Sequence, residues 1–168
     1  FQNARLYALN KAQMYAGSPT VKVVSFDLPA TQFTVLPANA RVQTGTPPAG
    51  SPNYFASIWN FLNSVQIWKF HVDWDHIPLS TATGPFDSTM TFWWEQFLRG
   101  SVETAPTPAN ALDTLYPRLM VQNQYSNIGG VESLWASHTV GAGNPTSNLT
   151  SSQSAVRYYQ VGVTGGTV

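Results

Sequence analysis

An all-β fold built from antiparallel strands is predicted by three features of this sequence. Over residues 64–75, SVQIWKFHVDWD, the side chains alternate: Trp68, Phe70, Val72 and Trp74 fall on one face, and Ile67, Lys69, His71, Asp73 and Asp75 on the other. A period of two over about ten residues, rich in aromatic and β-branched types, marks a half-buried strand. Twelve Gly and twelve Pro break the chain at short intervals, as turns between strands require. No amphipathic helix longer than two turns can be traced.

The elements follow in order. Residues 1–17 read either as a short helix lined by Leu6, Leu9 and Met14 or as strand–turn–strand, and Gly17-Ser18-Pro19 ends them. Residues 21–28 (VKVVSFDL) form a strand stopped by Pro29, and residues 34–36 a short one stopped by Pro37. Residues 41–52 are a Gly/Pro/Thr-rich loop, and residues 54–59 (YFASIW) the next strand, turned by residues 60–63 into the central one. Pro78 and Gly84-Pro85 mark residues 77–87 as loop, while residues 89–98 read as strand or helical turn. A strand near residues 118–123, a turn at residues 127–130, and strands at 131–140 and 155–163 complete the chain.

Composition narrows the class. With 168 residues and 43% hydrophobic content the chain has enough material for one domain with a core. Charged residues are only 10%, and eight basic side chains balance eight acidic ones. Such a chain has no net field to attract nucleic acid, so a nucleic-acid partner is not expected. No stretch approaches the roughly 18 apolar residues of a membrane helix, so no membrane span is expected. Low charge, abundant Ser, Thr and Asn, and 13% aromatics fit a secreted or cell-surface β protein. The chain opens on Phe1, which reads as a processed or excised segment. Asn148-Leu149-Thr150 is a glycosylation sequon, with Asn148 the acceptor in a eukaryotic secretory setting.

A repeat underlies the strands. An aromatic followed two residues on by an apolar residue recurs at Phe26/Leu28, Phe70/Val72 and Tyr159/Val161. The intervals are 70 − 26 = 44 and 159 − 70 = 89 residues, one and about two lengths of a four-stranded propeller blade. The runs LPAN…TPPAGSPNYFASIWN…VQIWKFHVDWDHIPLSTATGP and ALDTLYPRLMVQNQYSNIGGVESLWASHTV…AVRYYQV resemble large, uncharacterised secreted bacterial proteins with β-propeller-like repeats. The resemblance covers about residues 20–86 and 110–161; residues 88–110 are an atypical insertion or connector. It implies propeller-like blades and an extracellular location, against the alternative of a two-sheet β-sandwich. At 44 residues a blade, 168 residues fall short of four, so the chain is expected to be a fragment of a larger propeller, or to complete it with other segments or further copies. Otherwise it is a single β domain.

Candidate chemistry is sparse. Asp73 and Asp75 share a strand face, and with loop carbonyls they form a candidate calcium site; alternate residues stand about 7 Å apart. The plainer reading is a solvated face with Asp75 capping a turn. Asp113, Arg118, Glu132 and Arg157 are expected to form structural ion pairs, although in a glycan-processing propeller Arg118 and Arg157 are also candidates to hold a substrate carboxylate. Ser137 and His138 point to opposite faces of one strand and form no nucleophilic pair, and His138 reads as a satisfied, semi-buried histidine. No phosphate-binding glycine loop or nucleophile elbow occurs.

Six Trp, seven Tyr and nine Phe exceed the needs of a modest core. Trp93, Trp94 and Trp135 are the candidate ligand-binding rings, since flat aromatics stack on sugars or fill partner pockets. The expected function is a non-catalytic extracellular module for surface attachment, carbohydrate or protein binding, or self-assembly. A secreted propeller-type glycan hydrolase and a structural subunit of an extracellular filament or coat are the alternatives.

Overall fold

The computed structural model describes residues 3–59, 64–89, 115, 118–142 and 153–168. Trp93, Trp94, Asp113 and Asn148 lie outside these residues. Nine strands and one short helix follow the order β1 (Arg5–Leu9), α1 (Lys11–Tyr15), β2 (Val23–Asp27), β3 (Leu36–Ala40), β4 (Asn53–Trp59), β5 (Ser64–His71), β6 (Thr81–Thr89), β7 (Met120–Ile128), β8 (Val131–Ala142) and β9 (Gln153–Gly162) among the described residues. The protein is all-β, as its alternation predicts. Neither reading of the first 17 residues holds whole: Leu6 and Leu9 lie on β1 rather than on a helix, and α1 follows where a second strand was expected, capped by Asn10, which accepts from the Gln13 amide at 3.1 Å.

β1 and β2 pair as an antiparallel hairpin, and the other strands form one sheet in the order β6-β5-β4-β3-β7-β8-β9. Every join in that sheet is antiparallel except β3–β7, which is parallel. The sheet curls on itself. Tyr54, Ala56, Val65 and Ile67 from β4 and β5 share a core with Tyr125, Leu134, Ala136 and Val161 from β7, β8 and β9. Strands of one sheet meet face to face only if that sheet bends round. The Tyr54 hydroxyl accordingly reaches across to donate to the Val163 carbonyl at 3.2 Å.

β5 departs from the half-buried strand that its alternation suggests. Val65 and Ile67 enter the core just described, Ile67 with no exposure at all. Trp68 and Phe70 enter a second core with Leu6, Val24, Leu28 and Phe55. The β1–β2 hairpin lies over the outer face and buries it too, with Phe26 edge-on to Phe70 at 5.3 Å between centroids. Each large ring so buried contributes roughly 1.5–3 kcal/mol relative to exposure. The strand ends at His71 rather than at residue 75, yet Val72 and Trp74 still pack against that second core. Several polar groups of the core pair with one another, while the Trp68 indole nitrogen and the Asn123 amide oxygen are buried without a hydrogen-bond partner. Gln32 donates to Gln66 at 2.6 Å, Ser57 donates to Gln32 at 3.0 Å, and Ser64 and Gln66 both donate to Asp87 at 2.9 Å.

Two segments correct the reading from the sequence. Residues 81–87 of the expected loop belong instead to β6, which runs on to Thr89. Among the described strands β6 lies at the sheet edge, where a missing N–H is tolerated, and its register slips between Ile67 and Lys69 of β5 beside Gly84. Gly84 has φ +138°, and a Cβ there would stand 2.8 Å from the Ile67 carbonyl oxygen and 3.0 Å from the Trp68 ring, so only glycine fits. Pro37, expected to stop a strand, lies inside β3. Leu36 and Pro37 pair with β4, then Ala38–Ala40 pair with β7, so the proline falls where the ladder changes partner.

The three strands that share the 44-residue pattern occupy different places. Among the described strands β2 belongs to the hairpin, β5 to the sheet interior and β9 to the sheet edge.

Candidate functional site

β8 is hydrogen-bonded on both sides, and alternation sends its residues to two unlike environments. Glu132, Leu134, Ala136, His138 and Val140 are buried on the inner side. Trp135 and Ser137 face outward and line a shallow groove of about 460 Å³ with Val121, Gln122, Gln124 and Tyr158. β7 takes part through an irregularity. Between Met120 opposite Ser137 and Gln124 opposite Trp135, β7 advances 124 − 120 = 4 residues while β8 covers 137 − 135 = 2. The surplus bulges and brings Val121 and Gln122 to the groove.

The groove offers two rings and several uncharged polar groups. Trp135 is 37% exposed and Tyr158 75%. In the ladder Trp135 pairs with Gln160 and Ser137 with Tyr158, so the two rings are diagonal neighbours, within reach of one another's ligand. The Trp135 indole N–H donates to Ser126 at 3.1 Å, which fixes the ring plane. The Gln124 amide donates to the carbonyls of Asn39 at 2.6 Å and Tyr125 at 2.7 Å, leaving Oε1 as its remaining acceptor. Gln160 is held beside them by donating to Ser133 at 3.1 Å. Among the described residues no charged side chain lines the groove. Amides and hydroxyls around one held indole and one exposed phenol ring suit a neutral, hydroxyl-rich ligand.

The inner side of β8 works differently. Glu132 is 3% exposed, and its carboxylate accepts from the Tyr125 hydroxyl at 2.6 Å and from the Gly165 N–H at 2.9 Å. Burial, reinforced by that carboxylate, pushes the Tyr125 hydroxyl well above its ordinary pKa. No guanidinium lies within ion-pair distance of Glu132 among the described residues. Arg118 stands over the Phe33 ring at 5.4 Å, and Arg157 lies 5.9 Å from the centre of the Tyr159 ring. Arg157 is in register with His138, at a distance along β8 from Glu132. His138 is buried, with its Nε2 2.6 Å from the Tyr159 hydroxyl, and burial holds its pKa down at about 4.

Asp73 and Asp75 lie in the loop after β5 rather than on the strand. The Asp73 carboxylate accepts from the amides of His76 at 2.7 Å and Asp75 at 2.9 Å, and the His76 amide is the main cause holding its pKa below the usual range. It shapes the turn that leads to residues 77–79. No group of three or more His, Asp or Glu side chains converges as a metal-binding cluster among the described residues.

No protein-family model, curated protein or solved structure matches this chain. Its own geometry therefore has to supply the functional reading. Sequence reasoning found Trp135 but missed Tyr158, Gln122 and Gln124. Tyr158-Tyr159 gave only half the signal: adjacent strand residues must face opposite ways, but which of the two rings faces out depends on the register with β8.

Proposed function

We propose that this chain is a non-catalytic extracellular β module that attaches to surfaces by binding carbohydrate on the outer face of β7, β8 and β9. The observation carrying this reading is the pair of exposed rings, Trp135 and Tyr158, set among uncharged amides and hydroxyls. Pyranose rings present C–H faces that stack on aromatics and hydroxyls that pair with amides. A fixed indole adds contact area at little entropic cost. β3 to β6 form a four-strand antiparallel meander, which supports treating that stretch as a propeller-like blade. The hydrolase alternative draws less support, because the buried Glu132 is already bonded to Tyr125 and Gly165 on the opposite side of β8 from the groove.

Titration of neutral oligosaccharides from a glycan panel, followed by tryptophan fluorescence and calorimetry, tests the proposal. At least one saccharide is expected to bind and to shift the fluorescence, and Trp135→Ala and Tyr158→Ala should each weaken it by about tenfold or more. Binding unaffected by both substitutions, or no binding by a folded sample across the panel, would overturn it.

Self-assembly is a second reading with an observation of its own. β9 is an edge strand among the described residues, and its Val156 and Tyr158 are largely exposed. Such an edge can template pairing with another copy. Concentration-dependent sedimentation that Val156→Lys abolishes is the expected sign of it.

A further inference from the structure

The two glutamines of the outer groove present opposite hydrogen-bonding polarity. A glutamine amide has an oxygen that only accepts and a nitrogen with two hydrogens to donate. Gln124 has spent its nitrogen. Its Nε2 donates to the carbonyls of Asn39 at 2.6 Å and Tyr125 at 2.7 Å, with the Thr44 hydroxyl a further acceptor at 3.1 Å. Two carbonyls dictate which way that amide lies, so the atom left for the groove is the acceptor Oε1. Gln122 is used the other way round. Its Oε1 accepts from the Asn39 side-chain amide at 3.1 Å, and the hydrogens of its Nε2 have no acceptor among the described residues. Asn39 therefore holds both, Gln124 by its carbonyl and Gln122 by its side chain.

Both side chains line the groove, yet among the described residues no hydrogen bond joins the open donor of one to the open acceptor of the other. Each is left to a partner from outside. A sugar hydroxyl can answer both only through a single oxygen. A secondary amide answers them with two atoms, its N–H on Gln124 Oε1 and its carbonyl on Gln122 Nε2. Val121, 82% exposed in the same groove, offers carbon to a methyl carried by such an amide. With no charged side chain among the described lining residues, an acidic sugar or a free amino sugar would lose water without gaining a counter-charge.

Resting on the carbohydrate reading above, we propose that the groove selects neutral N-acetylated sugars, with the acetamido group bridging Gln122 and Gln124 and the pyranose ring stacked on Trp135.

N,N′-diacetylchitobiose and cellobiose test this, because they share one β-linked glucose backbone and differ in carrying an acetamido group or a hydroxyl beside each anomeric carbon. Titrated by calorimetry into the full chain, the acetylated sugar is expected to bind about tenfold or more tighter. Gln122→Glu keeps the oxygen that Asn39 holds but turns the open donor into an acceptor, and should bring the two affinities within about twofold of each other. Gln122→Met, which removes the donor without adding charge, should do the same. Equal affinities in the unaltered chain, tighter cellobiose, a preference that survives either substitution, or binding of other saccharides alone would overturn the inference and leave the carbohydrate reading standing. If a folded sample binds no saccharide of the panel, the carbohydrate reading falls and this inference with it.

Discussion

β5 and β8 hold matching places among the described strands of the sheet, each second from an edge, and each buries one face in the same core. Their other faces have opposite fates. The outer face of β5 is covered by the β1–β2 hairpin, which turns Trp68 and Phe70 into core. On β8 the outer face keeps Trp135 partly in solvent above a groove. A tryptophan on a strand thus takes its role from whether a second layer lies over it, and period-two alternation reads the same in both cases.

The largest test of that contrast is on the covered side. Trp68→Ala should cost about 3–5 kcal/mol, because the hairpin can only partly collapse into the space left. Chemical denaturation should show it as a large drop in midpoint at nearly unchanged slope.

On the inner side of β8, acid is the probe. His138 is held neutral, its pKa pushed down to about 4 from the ordinary 6.5, mainly by burial and also by the nearby charge of Arg157. The unfolded chain therefore binds the proton more readily than the folded one. The stability this reflects is intact above pH 6.5 and is lost as the pH falls from there toward 4, by an upper bound of about 3 kcal/mol. His138→Gln should flatten that acid limb in denaturation curves run between pH 7 and 4; an unchanged limb would assign it to other groups.

Next in size is the bulge beside β5. Gly84→Ala places a Cβ against the Ile67 carbonyl and the Trp68 ring at positive φ, and a loss of about 1–3 kcal/mol is expected. Little change in melting temperature would mean that β6 relaxes away from Trp68.

The smallest stability effect belongs to the uncovered face. Trp135→Ala should cost under about 1 kcal/mol, since the ring is already partly in water. It should nevertheless weaken saccharide binding by about tenfold or more. A stability loss as large as that of Trp68→Ala would erase the distinction between the two strands.

Local rules made much of this legible. β2, β4, β5, β8 and β9 carry β-branched and aromatic runs, and their existence could be read from periodicity. β6 could not, because an edge strand accepts Gly84 and Pro85, which mark a loop anywhere else. β3 was hidden by Pro37 and by sharing its length between two partners. Burial of β5 on both faces rests on a hairpin more than 30 residues upstream, a tertiary fact outside any local window. At the site, Trp135 stood out by residue type. Tyr158 needed the register with β8, and Gln122 and Gln124 needed the β7 bulge, so composition alone could not bring them together.

The parallel seam between β3 and β7 has a kinetic consequence. Asn39 lies opposite Gln124, a separation of 124 − 39 = 85 residues, whereas β4–β5 and β7–β8 close through short connections. Entropy makes distant closures slow. Each meander should therefore zip up early as its own cooperative unit, and the seam that unites them should set the rate of the final step.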